Sequence, residues 1–155
     1  MKSILAMTIA AVLLSASFSV SAQSGANAPG TGAALLEQYL AIKDALVKSD
    51  ATAAKAAAGA LLKVITDKQA TLQPPAAAIA GSTDLAVQRK QFAQLGNALY
   101  PIVKTMHPGS PVYYQHCPMF ANGKGGNWLS LEKDIRNPFY GAQMLTCGSI
   151  KDTVQ

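Results

Sequence analysis

Apolar positions recur at helical spacing through the first two thirds of the chain and lose that rhythm after Pro111. Leu35, Tyr39, Ile42 and Leu46 are separated by four, three and four residues, which places them on one face of a helix from Ala34 to Lys48. Glu37, Lys43, Asp44 and Lys48 fall largely off that face. Ser49-Asp50 ends this helix and offers an N-cap to the next. The second helix runs from Ala51 to Gln69 and is alanine-rich, with Leu61, Val64 and Ile65 extended by Ala54, Ala57 and Ala58 into a stripe. Its Gly59 costs about 1 kcal/mol relative to alanine, a cost that fits a close approach by a neighbour. Pro74-Pro75 prevents continuation, leaving Ala76–Ala80 as a turn or short helix. A third long helix runs from Asp84 to Met106, capped by Ser82 or Thr83. Phe92, Leu95, Leu99, Ile102 and Met106 form its stripe, and Pro101 should kink it.

Beyond Pro111 the pattern suits extended chain. Val112–Cys117 reads as a strand, Asn122-Gly123 as a hairpin turn and Asn127–Leu131 as a return strand, while Ser130–Arg136 can also hold one helical turn. Ser149–Gln155 reads as a frayed tail. The expected architecture is therefore mostly all-α: an antiparallel bundle of three to four helices with an irregular C-terminal loop, 112–148, in which a hairpin can form.

Composition divides the 155 residues further. Residues 1–22 carry Lys2, an apolar run from Ile4 to Val20 and the small-residue site Val20-Ser21-Ala22, the layout of a cleaved secretory signal. Residues 23–33 are small and uncharged and read as a flexible leader, followed by one domain over 34–148. No second stretch is apolar enough to span a bilayer once the signal is removed. Without Lys2 the chain has 12 basic and 8 acidic residues, scattered without a basic run, which argues against a nucleic-acid footprint. No catalytic constellation is present: no serine–histidine–aspartate set, no paired carboxylates and no His-Glu-x-x-His. The glycine-rich Asn122–Asn127 lacks the Walker spacing and reads as a turn. An enzyme is not expected.

The chemistry-bearing residues concentrate in the loop. Its two ends hold the chain's only cysteines, Cys117 and Cys147, each with a nearby methionine, Met119 and Met144. Two thiols and two thioethers form a soft donor set suited to Cu(I). Four donors can surround one ion only if the fold brings 117–119 beside 144–147. The competing reading is a Cys117–Cys147 disulfide in an exported protein, closing about 30 residues and adding roughly 3–4 kcal/mol. Each methionine alone reads as core filler. Residue spacing leaves metal site and disulfide open. His116 and His107 are additional candidate ligands, although adjacency to Cys117 makes His116 awkward and His107 follows a helix end. Six aromatic residues, Tyr113, Tyr114, Phe120, Trp128, Phe139 and Tyr140, read as a satellite core sealing the loop against the bundle.

Tyr114-Gln-His-Cys-Pro-Met119, Gly123-Lys-Gly, Trp128-Leu-Ser130, Ile135-Arg-Asn-Pro138, Tyr140-Gly141 and Met144-Leu-Thr-Cys-Gly148 resemble a bacterial exported domain of unknown function. That domain occurs alone and fused to heavy-metal efflux adaptor proteins of the copper/silver type. Tyr39–Ala57 and Gln88–Leu95 are similar as well, so the resemblance covers 34–148. Cys117-Pro118-Met119 also resembles the short heavy-metal-binding module of metal transporters, but Phe120-Ala121 stands where that module has His-Pro. The resemblance implies a periplasmic or secreted helical bundle binding Cu(I) through Cys117, Met119, Met144 and Cys147. A component of a heavy-metal efflux system is the implied partner. The alternative is a structural or protein-interaction module stabilised by the disulfide.

Overall fold

The structure is a computed structural model that describes residues 31–155. The expected signal and all of the leader before Thr31 lie outside the described residues. The fold is mostly helical, with a small antiparallel sheet at its C-terminal end. Helix α1 (Gly32–Val47) begins two residues earlier than Ala34 because Thr31 caps it, its hydroxyl accepting from Ala34 N at 3.3 Å. Leu35, Tyr39, Ile42 and Leu46 are all fully buried, as their spacing requires. Asp50 caps α2 (Ala51–Val64) through Oδ1, which accepts from Ala53 N at 2.8 Å.

Helix α2 stops five residues short of Gln69. Ile65 is already extended, and Thr66 starts a 3₁₀ segment, Asp67–Leu72, through a capping box with Gln69. The run Val64-Ile65-Thr66 is β-branched and stiff at χ1, so a competing cap wins there. Ala54, Ala58 and Leu61 form the buried face of α2. Gly59 lies off that face, and a Cβ added there would meet nothing within 4 Å. The close approach expected at Gly59 is therefore not made. Pro74 and Pro75 occupy the first turn of α3 (Gln73–Ala80), where missing N–H groups cost nothing.

Helix α4 (Leu85–Met106) is capped by Asp84, which accepts from Ala86 N and Val87 N, rather than by Ser82 or Thr83. Ser82 instead accepts from Asp84 N at 3.0 Å and orients the cap. The helix continues through Pro101, which is on its exposed side. Phe92, Leu95, Leu99 and Val103 are its buried apolar positions; Ile102 and Met106 are only half-buried. Among the described residues no helix is long and apolar enough to cross a membrane.

Strands β1 (Val112–Cys117), β2 (Gly126–Ser130) and β3 (Ser149–Val154) make an antiparallel sheet in the order β2-β1-β3. The β1–β2 hairpin was legible in the sequence. The third strand corrects the expectation of a frayed tail: the free edge of β1 pairs with it from Val112↔Val154 to His116↔Ser149. Tyr100 donates to Asp152, and Lys104 Nζ lies 3.3 Å from the same carboxylate, so α4 anchors the last strand. The helical turn allowed for Ser130–Arg136 does not form. Gln115 Nε2 instead reaches the carbonyls of Glu132 (2.9 Å) and Lys133 (3.3 Å). Lys43, only 3% exposed despite its expected outward position, pairs with Glu132 at 3.1 Å.

Cross-strand partners share a face. Tyr114, His116, Asn127 and Leu129 therefore lie on one side of the β1–β2 pair, and Gln115, Cys117, Gly126 and Trp128 on the other. The first side packs on the helices. Tyr114 stacks on Tyr100 and donates to Asn97 at 2.8 Å, and Tyr39 Oη accepts from Leu129 N at 3.2 Å. This approach needs glycine at position 96, where a Cβ would come within 2.8 Å of Tyr39 Oη and 2.9 Å of Asn127 O. The second side is covered by residues 131–148, with the Phe139 ring in contact with those of Trp128, Phe120 and Phe92. These rings join the helices in one contiguous core rather than a satellite one.

Tyr100, the Thr153 backbone N–H and Lys104 hold the Asp152 carboxyl below its ordinary range. Its contribution to stability is thus present above the unfolded-state value and lost as pH falls through the lowered folded one. Protection factors of the β3 amides, corrected for intrinsic exchange, should fall in the wild type as pH drops below the ordinary carboxyl range. In Asp152→Asn, β3 should already be less protected at neutral pH, and its protection should respond less to acid. Equal β3 protection in both proteins at neutral pH would show that the carboxylate does not anchor the strand.

Candidate metal centre

The candidate centre forms where the end of β1 meets the returning segment. Cys117 is the last residue of β1, pairs with Gly126 and is fully buried. Residues 137–148 fold back over it. Asn137 directs that return: its backbone N donates to Leu145 O at 2.8 Å, its Nδ2 to Cys147 O at 2.9 Å, and its Oδ1 accepts from Phe139 N at 2.8 Å. Arg89 on α4 secures the same segment by donating to Pro138 O at 3.1 Å. Gly148 then presses against β1, where a Cβ would stand 2.8 Å from His116 O and 3.0 Å from the Trp128 ring. The backbone on both sides of Cys147 is therefore fixed against the strand that carries Cys117.

The result is two free thiols with Sγ atoms 3.8 Å apart. With metal–sulfur bonds of about 2.3 Å, two thiolates on one tetrahedral or trigonal ion are separated by roughly 3.8–4.0 Å. The pair is thus spaced for shared ligation without rearrangement of the backbone. Burial, together with the adjacent Cys117 sulfur, pushes the Cys147 thiol up from its ordinary value. Cys147 therefore keeps its proton at neutral pH when free and must release it to become a ligand.

The methionines adjoin this pair along the chain. Met119 is 55% exposed, and its carbonyl accepts from Tyr140 Oη at 3.0 Å, tying 117–119 to the returning segment. Met144 closes the 3₁₀ turn Gly141–Met144 and is half-buried, its carbonyl accepting from Cys147 N at 3.1 Å. Among the described residues the apolar core includes neither of them, so core filling does not explain either methionine. The fold thus brings Cys117 to Cys147, and Met119 and Met144 stand two and three residues from them along the chain.

The histidines are placed differently. His116 is on the opposite face of β1 from Cys117. Its Nδ1 is 2.7 Å from Asn127 Oδ1, while Asn127 Nδ2 donates to Asn97 at 3.1 Å. Oδ1 is thus the acceptor and Nδ1 carries the proton. The alternation of side chains along a strand keeps His116 from sharing an ion with Cys117. His107 is the exposed left-handed C-cap of α4, before the start of β1, whereas Cys117 ends that strand roughly 16 Å further along. Among the described residues no three His, Cys, Asp or Glu side chains gather at one point, so a mixed cysteine–histidine zinc site is not assembled.

Residues 35–111 match a family described as "Protein of unknown function (DUF3347)". The matched span is the helical scaffold and ends one residue before β1 begins, so the sulfur-bearing segment lies beyond it. No curated protein and no solved structure matches the chain.

Sequence reasoning assigns no role to Asn137 or Gln115, the two buried amides that shape the cover over Cys117. The signal that marks Asn137 is Asn137-Pro138-Phe139, an Asx-turn pattern in which the side chain accepts from the residue two positions on. Gln115 carries no such local mark, because its partners are seventeen and eighteen residues away. Asn137→Ala should leave the buried Phe139 N–H and Cys147 carbonyl unpartnered, costing about 2–4 kcal/mol in urea unfolding. It should also speed alkylation of Cys147. Unchanged stability and thiol reactivity would show that Asn137 does not hold the returning segment.

Proposed function

We propose that the chain is an exported protein that binds a soft metal ion, Cu(I), through Cys117 and Cys147 with thioether support from Met119 and Met144. The observation that carries this reading is the 3.8 Å thiol pair, whose neighbours along the chain, Met119 and Met144, lie outside the core. The donor set is soft and low in charge, which favours Cu(I) over hard cations and over Zn(II). Cys147 is only half-buried, which leaves its thiol accessible to an ion, while Cys117 is fully buried. The signal-like residues 1–22 support export to the periplasm or beyond, and the sequence resemblance supports a role beside heavy-metal efflux, in storage, handover or tolerance.

A permanent structural disulfide is the second reading, favoured by the same sulfur contact. The returning segment is already held by Asn137, Gln115, Arg89 and the Lys43–Glu132 pair, so a covalent staple is not needed to place it. Reduced protein should take up about one Cu(I) per chain in competition with a Cu(I) chelator. The Met119→Leu/Met144→Leu double variant nearly conserves volume, so its apo stability should change by less than about 1.5 kcal/mol. Its affinity should fall about tenfold or more, equivalent to ~1.4 kcal/mol. Loss of both cysteines should cost more still, and His107→Ala should have little effect. Equal competition by wild type and the methionine variant would remove the thioethers from the site. Equal competition by the protein lacking both cysteines would refute the reading altogether.

A further inference from the structure

The two thiols are in contact but differ in access. Cys147 is half-buried at the edge of the returning segment, whereas Cys117 has no exposed surface. The backbone on each side of the pair is held by bonds that do not involve sulfur: Asn137 grips the Cys147 carbonyl, and β2 pairs with β1 up to Cys117↔Gly126. Closing the gap from 3.8 Å to the roughly 2.05 Å of an S–S bond is a sulfur displacement of about 1.8 Å.

Resting on the metal-binding reading, we propose that Cys117 and Cys147 are also a reversible dithiol–disulfide couple that switches the metal site off, with Cys147 reacting first and Cys117 resolving. The oxidant is a small-molecule disulfide. Cys147 loses its proton and its sulfur attacks one sulfur of that disulfide, breaking the S–S bond and expelling one thiolate. The product is a mixed disulfide on Cys147. Cys117 then loses its proton, attacks Cys147 Sγ and expels the second thiolate. Two electrons pass from the protein sulfurs to the small molecule, the two protons released match the two thiolates formed, and a Cys117–Cys147 bond remains. Both thiolate donors are consumed by that bond, so only the thioethers could still meet an ion. Reduction by the reverse exchange restores the site.

The test uses the reduced full-length protein and oxidised glutathione, without metal, followed by mass spectrometry and peptide mapping. Wild type should end as an intramolecular disulfide, with the early adduct on Cys147. Cys117→Ser should accumulate glutathione on Cys147, because the resolving thiol is gone. Cys147→Ser should stay unmodified over the same period, because Cys117 is sealed. Early adducts on wild-type Cys117, or a wild type that stops as a stable glutathione adduct, would overturn the couple without relying on either variant's folding. In the second arm, disulfide-closed wild type should hold Cu(I) at least about a hundredfold less tightly than reduced wild type. Equal affinity would overturn the switch. Failure of the reduced protein to take up Cu(I) would remove the metal reading and the switch with it, while the glutathione arm judges the couple independently.

Discussion

The C-terminal third of the chain depends on the fold-back of residues 137–148 over one face of a small sheet, and that fold-back depends on the buried amide of Asn137. A segment whose only regular structure is one 3₁₀ turn must satisfy most of its buried backbone groups individually. Asn137 does so at three points, accepting from Phe139 N and donating to Cys147 O through its side chain and to Leu145 O through its backbone. Gln115 performs the equivalent task for residues 132–133 from the centre of β1. With those groups paired, the segment can lay Phe139 against Trp128 and deliver Cys147 to Cys117. The thiol contact is a consequence of amide hydrogen bonding, so it does not require a covalent bond or an ion to exist.

The opposite face of the sheet determines what the site can include. Gly96 and Tyr39 bring β2 close to the helices, and Tyr114, Asn127 and His116 are drawn into a hydrogen-bonded layer with Asn97. This layer separates His116 from the sulfurs by the thickness of the sheet. The family match covers the helical scaffold alone. The two cysteines lie beyond that span, and the scaffold holds β3 through Tyr100, Lys104 and Asp152.

Sequence periodicity was a good guide wherever a single helical face decided the outcome. The stripe on α1 and the Asp50 cap are where spacing put them, and Phe92, Leu95 and Leu99 are buried as a stripe on α4. It failed where a competing local bond intervened, as when the Thr66–Gln69 capping box ended α2 early and Asp84 displaced Ser82 as a cap. Strand β3 was not legible because its residues are mostly exposed and it is specified by the open edge of β1. The spacing of the sulfurs along the sequence pointed to Cys117 and Cys147, which the fold brings into contact, but the side of β1 that each residue faces follows only from pairing register. That register brings Cys117 to Cys147 and turns His116 away.

The central claim is that Cys117, Cys147 and the flanking methionines make one soft-donor site. Copper K-edge X-ray absorption of the reduced protein loaded with one equivalent of Cu(I) reads the first shell directly. The account predicts a Cu(I) edge with sulfur neighbours only, and loss of sulfur scattering when Met119 and Met144 are both replaced by leucine. A first shell containing histidine nitrogen, with its imidazole multiple-scattering pattern, would contradict it.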